Sequence, residues 1–158
     1  MTWKVVHGSA DGSGSRMFNP QMQPKTAPPP SDRLRVLVVD DEPSICKALC
    51  IALSEEGYEA IAAHTGESAL AIIRNEHLDI MILDLRINDM RGDVIFEVAA
   101  GHQPHLRYQT LFITGDITDR AAKLIEACHC NMLPKPFDLS DVFAAIAELT
   151  PRQKDQTA

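Results

Sequence analysis

From Arg33 onward, short apolar runs alternate with longer amphipathic stretches. Leu34 to Val39 is Val-rich and apolar apart from Arg35, the pattern of a strand buried on both faces. Pro43 falls where a first helical turn begins. Ile45, Ala48, Leu49 and Ala52 follow at helical spacing, and Gly57 predicts the stop. Tyr58 to Ala63 predicts a second strand. Thr65 predicts the cap of a helix carrying Ala69, Leu70, Ile72 and Ile73. Ile80 to Leu83 is a third buried strand. A loop with Asn88, Asp89 and Gly92 then leads into a helix from Asp93 to Ala100. Thr110 to Thr114 predicts a strand, Asp119 to Ala127 a helix, and Asn131 to Leu133 a very short strand. Leu139 to Leu149 closes the series as an amphipathic helix, with Val142, Phe143, Ile146 and Leu149 on one stripe.

Five strand–helix repeats in succession predict an α/β fold: a doubly wound, five-stranded parallel sheet with helices on both faces. Residues 1–31 read differently. They are Gly/Ser-rich early and Pro-rich late, a composition that buries too little surface to offset chain entropy. A disordered leader over 1–31, one domain over 32–150 and a flexible tail over 151–158 are expected, with no separate output domain.

Composition narrows the function classes. The 158 residues carry a formal net charge of -7, which argues against broad binding to nucleic acid or anionic membrane. No apolar run approaches membrane-spanning length, and the N-terminus lacks the apolar stretch of a secretory signal, so a cytoplasmic location is expected. Cys46, Cys50, Cys128 and Cys130 lack the two-residue spacer of paired zinc ligands. They read as reduced, small, partly buried side chains. His64, His102 and His105 read as surface or loop residues.

In open parallel sheets, ligands bind beyond the carboxyl ends of the strands. There the first strand runs into Asp40, Asp41 and Glu42, the third into Asp84, the fourth into Thr114 and Gly115, and the fifth into Lys135 and Pro136. Clustered carboxylates repel one another and need a cation or a proton. Oxygen ligands with room for water suit Mg²⁺. A carboxylate can attack phosphorus to give an acyl phosphate, with a nearby ammonium and hydroxyl stabilising the transferring oxygens. Taken singly, Asp40 and Asp41 could be helix caps, Asp84 a loop aspartate, Thr114 an ordinary strand residue and Lys135 a solvated lysine. Together, at matched strand ends, they point to one pocket.

The segments VVDDEP, ILDLRINDMRG, LFITGD and LPKPF, in that order, resemble response-regulator receiver domains of two-component signal transduction, of the chemotaxis-regulator type. The resemblance covers Arg33 to about Thr150 and implies a flavodoxin-like strand order 2-1-3-4-5. It implies Asp84 as phosphoacceptor, Mg²⁺ held directly by Asp41, Asp84 and the backbone carbonyl of Arg86, and Asp40 acting through water. Thr114 and Lys135 would meet the phosphoryl group, and the Lys135–Pro136 bond would be cis. The implied partners are a sensor histidine kinase or a histidine phosphotransfer protein, and a downstream protein. The output face would be the fourth helix, fifth strand and fifth helix, which could also serve a homodimer. The domain would not be an enzyme beyond accepting and slowly losing its own phosphoryl group.

Three positions depart from the family pattern. Ile87 and Asn88 stand where receivers often carry Met-Pro. Met132 stands where an aromatic partner of the switch threonine is usual, so switching through Thr114 would differ. Arg86, two residues past Asp84, reads equally as leaning over the pocket, where it would alter water access to the acyl phosphate, or as a solvated arginine. Roles as a phosphorelay intermediate or hybrid-kinase receiver share the same chemistry. A haloacid-dehalogenase-like phosphatase would need its nucleophile after the first strand with a second acid two residues on, a poor match to adjacent Asp40 and Asp41. A phosphorylation-independent binding module is the remaining alternative.

Overall fold

The computed structural model describes residues 4–5, 17–18, 32–115 and 118–149. The chain divides into two compact units, Met1–Asp32 and Arg33–Ala158. In the first, Lys4–Val5 pairs antiparallel with Met17–Phe18. The rest of the expected leader and the 151–158 tail lie outside the described residues.

In the second unit, β1 (Arg35–Val39), β2 (Glu59–Ala63), β3 (Ile80–Asp84), β4 (Thr110–Thr114) and β5 (Asn131–Pro134) form one parallel sheet. The order is β2-β1-β3-β4-β5, as the resemblance implied. The central strands β3 and β4 are buried at every position, matching their unbroken apolar runs. The helices are α1 (Pro43–Glu55), α2 (Gly66–Asn75), α3 (Gly92–His102), α4 (Asp119–Cys128) and α5 (Leu139–Leu149).

Alternation along the strands splits the core into two layers. Val36, Val38, Ile80, Ile82, Leu111 and Ile113 face α1 and α5, meeting Cys46, Leu49, Leu53, Val142 and Ile146. Leu37, Val39, Met81, Leu83 and Phe112 face the other way, onto Ala69 and Ile73 of α2 and Ile95 and Phe96 of α3. Phe96 and Phe112 meet with ring centroids 5.3 Å apart, in a tilted arrangement favoured by aromatic quadrupoles.

Local signals explain most boundaries. Pro43 opens α1, and Gly57 at φ +90 adopts the left-handed backbone that ends it. Thr65 caps α2 by accepting from the Ser68 amide, while the Ser68 hydroxyl accepts from the Thr65 amide. The buried stripe of α1 is Cys46, Leu49, Ala52 and Leu53, with Ile45 half-buried and Ala48 exposed. The expected stripe was thus rotated: Cys46 takes the inward place assigned to Ala48. Two features were not anticipated. A 3-10 helix spans Pro104–Arg107, and α4 ends on His129 with φ 54.

Candidate functional site

Because all five strands run parallel, β1, β3, β4 and β5 end at one edge and deliver Asp40, Asp84, Thr114 and Lys135 there. Asp40 continues the β1–β2 ladder by one step, its amide donating to the Ala63 carbonyl at 3.1 Å. Its carboxylate turns the chain into α1, Oδ1 accepting from the Glu42 amide at 2.9 Å. Asp40 thus shapes the turn before α1 without capping it, since the N-cap is Glu42 and no side chain bonds the free helix amides there. Asp84 makes the equivalent turn after β3, Oδ1 accepting from the Arg86 amide at 2.9 Å.

Lys135 binds the cluster together. Its Nζ lies 2.8 Å from Asp84 Oδ2 and 2.9 Å from Asp40 Oδ2, with Glu42 Oε1 at 3.5 Å. Its backbone amide donates to the Thr114 carbonyl at 2.9 Å, holding β5 against β4 just before the cis Lys135–Pro136 bond. Of the four buried polar residues among those described, Asp40, Asp84, Thr110 and Thr114, three stand at this edge. Burial there is costly unless the groups are paired, so the placement is a demanding one.

Electrostatics follow from burial and pairing. Burial pushes the Asp84 carboxyl above the usual carboxylate range, opposed by hydrogen bonds from Lys135 and the Arg86 amide. Burial works against the charge on Lys135, but hydrogen bonds to Asp84 and Asp40 and their negative charges outweigh it and raise its pKa. Asp41 is half-buried, and its Oδ2 accepts from the Asn88 amide at 3.2 Å. One carboxylate oxygen from each of Asp40, Asp41 and Asp84 lies within 4.8 Å of the others. An all-oxygen set of this kind fits a hard divalent cation.

The loop after Asp84 is built closely around it. The Gly92 amide donates to the Leu85 carbonyl at 3.0 Å. A Cβ on Gly92 would stand 2.5 Å from the Asp84 carbonyl oxygen, which excludes any other residue without a backbone shift. Asp89 reaches from this loop to α2, accepting from the Gly66 amide at 2.8 Å and the Glu67 amide at 3.2 Å.

Of the other residues singled out in the sequence, Arg86 is exposed, Met132 is 38% exposed opposite Phe112, and Thr114 sits opposite Pro134. Ile87 is buried in the core beside α3. His64 and His102 are exposed, and His105 Nε2 lies 2.6 Å from the Leu78 carbonyl. Three contacts were missed. Those of Asn88 and Asp89 join segments far apart in sequence, and that of Glu42 with Lys135 spans two strand ends. A partial signal existed at Asn88, which departs from the Met-Pro pattern of the resemblance: a proline there would have no N–H for Asp41.

Residues 36–147 match the family model described as the response regulator receiver domain. The chain is 32% identical over 111 residues to the transcriptional regulatory protein GlrR of Escherichia coli, covering 70% of this chain and 25% of GlrR. It spans between a quarter and just over half the length of such curated relatives. It resembles a CheY-like response regulator receiver domain protein from Methanospirillum hungatei at 27% identity and a TM-score of 0.69, covering 73% of this chain and 92% of that one. A response regulator protein from Burkholderia pseudomallei, solved with a phosphorylated aspartic acid, a calcium ion and citrate, is 25% identical with a TM-score of 0.65, covering 72% and 66% of the two chains. With the sheet order, the acidic edge and these matches in agreement, the chain belongs to the response regulator receiver domain family of two-component signal transduction.

Proposed function

We propose that Asp84 accepts a phosphoryl group in a Mg²⁺-dependent reaction and that the phosphorylated domain switches partner binding. The observation that carries this reading is the buried Asp84 carboxylate, held beside Lys135 Nζ at 2.8 Å within a cluster of three carboxylates. Asp41, Asp84 and the backbone carbonyl of Arg86 would hold Mg²⁺ directly, and Asp40 through water. Bound there, the ion would offset charge on the carboxylates and on the phosphoryl oxygens. An Asp84 carboxylate oxygen attacks phosphorus, and the bond from phosphorus to the donor imidazole breaks, leaving an acyl phosphate. Lys135 meets a phosphoryl oxygen, and Thr114 hydrogen-bonds another and changes position. Calcium and a phosphorylated aspartic acid in the similar Burkholderia pseudomallei protein support a divalent cation at the site and an aspartate as the acceptor.

The donor partner is a sensor histidine kinase or a histidine phosphotransfer protein. The downstream partner is a protein that binds the α4–β5–α5 face, where a homodimer would also form; the net charge of -7 favours protein over nucleic acid as the direct ligand of this domain. No helix among the described residues is long and apolar enough to cross a membrane, which supports a cytoplasmic setting. The same chemistry serves a free-standing regulator, a phosphorelay intermediate or a hybrid-kinase receiver, with slow self-dephosphorylation and no turnover of small substrates.

The test is incubation with Mg²⁺ and acetyl phosphate, followed by intact mass. One added phosphoryl group is expected, lost in Asp84→Asn and in excess EDTA. Protein that gains no mass, or an Asp84→Asn variant that still gains it, would overturn the proposal.

A further inference from the structure

Two of the three clustered carboxylates are held by Lys135, whose Nζ lies 2.8 Å from Asp84 Oδ2 and 2.9 Å from Asp40 Oδ2. Asp41 is held differently. Among the described residues its side chain has one hydrogen-bond partner, the Asn88 amide, which donates to Oδ2 at 3.2 Å. Asp41 is also the most accessible of the three, half-buried where Asp40 and Asp84 are buried. Carboxylates this close repel one another. Without a tether, Asp41 would turn towards water, and a cation would have to draw it back at a cost in rotamer freedom.

The donor is fixed although Asn88 itself is exposed. On one side, Ile87 is buried in the core. On the other, Asp89 accepts from the Gly66 and Glu67 amides of α2 at 2.8 and 3.2 Å. The neighbours of Asn88 therefore aim its N–H at Asp41, and its own side chain takes no part in that bond.

We infer that Asn88 is a positioning residue for the cation: its backbone amide holds the Asp41 carboxylate in place and so raises the affinity for Mg²⁺. The inference rests on the reading of Asp41 as a metal ligand. A carboxylate has about four lone-pair sites, so one N–H leaves the others for a metal. Ligating carboxylates are themselves hydrogen-bonded, and losing such a partner typically costs about 10–100-fold in metal affinity. Mg²⁺ demands near-ideal octahedral geometry, whereas Ca²⁺ tolerates a displaced ligand, so the tether should matter more for Mg²⁺.

The experiment is titration of the full chain with MgCl₂, and separately with CaCl₂, followed by amide NMR shifts with no phosphodonor present. Asn88→Pro removes the N–H, and Asn88→Ala keeps it. The Mg²⁺ Kd is expected to weaken about tenfold in Asn88→Pro and to stay within about twofold of the wild type in Asn88→Ala. The Ca²⁺ Kd should weaken less than the Mg²⁺ Kd in Asn88→Pro, a difference that general loosening of the fold would not produce. Because a proline ring can also disturb the loop, a second variant replaces the Ile87–Asn88 peptide bond by an ester. It deletes the same N–H without a ring and should show the same loss for Mg²⁺. Wild-type Mg²⁺ affinity in the ester variant, or an Asn88→Ala variant as weak as Asn88→Pro, would overturn the inference and leave the reading of Asp41 standing. Unchanged Mg²⁺ affinity in Asp41→Asn would remove both.

Discussion

Burial at the sheet edge works against the charged form of Asp84. Burial outweighs the help of Lys135 and the Arg86 amide, so its pKa is raised on folding. The native protein then keeps this proton to higher pH than the unfolded chain does. Ionising Asp84 therefore costs stability. The cost is absent below the unfolded carboxylate pKa, grows as pH rises towards the folded value, and is complete above it. Asparagine never ionises. In EDTA, Asp84→Asn is expected to have a higher urea midpoint than the wild type at neutral pH, the gap closing as pH falls through the carboxylate range. A variant less stable at every pH would contradict this. The cysteines make a second residue-scale case. Burial pushes the Cys46 thiol to about 11 and the Cys130 thiol to about 12, leaving little thiolate at neutral pH. Iodoacetamide at pH 8 should label these two slowly in the folded protein and readily in urea, with intact mass as the readout. Asp40, Asp41, Asp84, Thr114 and Lys135 were legible because each ends or follows an apolar run. The Asn88 amide and the Asp89 carboxylate were not, because their partners are fixed by loop shape and lie 47 and 23 residues away.

At the scale of elements, legibility tracked local chemistry. Pro43, Gly57 and Thr65 mark their helix ends through backbone preferences that act within a few residues. The 3-10 helix at Pro104–Arg107 was missed although Pro104 opens it, because four residues are too few to show a period. The α4 end was blurred because His129, and not glycine, takes the left-handed backbone there. Two substitutions should separate local capping from close packing. Thr65→Ala removes one cap and is expected to cost about 1 kcal/mol in urea unfolding. Gly92→Ala pushes a methyl group onto the Asp84 carbonyl, from a Cβ position 2.5 Å away. It should cost about 1–3 kcal/mol and also slow phosphorylation, since the loop must shift to admit it. Equal, purely thermodynamic effects from both would show that the loop tolerates movement.

Across the whole molecule, folding brings the carboxylates of Asp40, Glu42 and Asp84 to one ammonium, with Asp41 beside Asp40 and Asp84, an arrangement short of positive charge. Mg²⁺ bound at this edge should therefore stabilise the fold as well as serve the proposed reaction. A ligand that binds only the folded state adds about 2.7 kcal/mol at a hundred times its Kd. Thermal melts are expected to rise with Mg²⁺ in the wild type and much less in Asp41→Asn. The sheet and its order were readable from the alternation of runs and helices, because each strand's burial is written in its own composition. The mixed cavity between the loop after β3 and the start of α4 was not, since Leu85, Arg91 and Asp93 meet Arg120 and Leu124 there only when α4 folds against that loop.

That loop has one further consequence. The Arg86 amide leans on the Asp84 carboxylate, the Gly92 amide at the start of α3 on the Leu85 carbonyl, and between them Asp89 grips two amides of another helix. It resembles a taut bridge with three anchorages. Adding bulk and charge at one footing must slacken or tighten the others. The opening turn of α2, which touches no reacting atom, should thus change its amide exchange when Asp84 is modified.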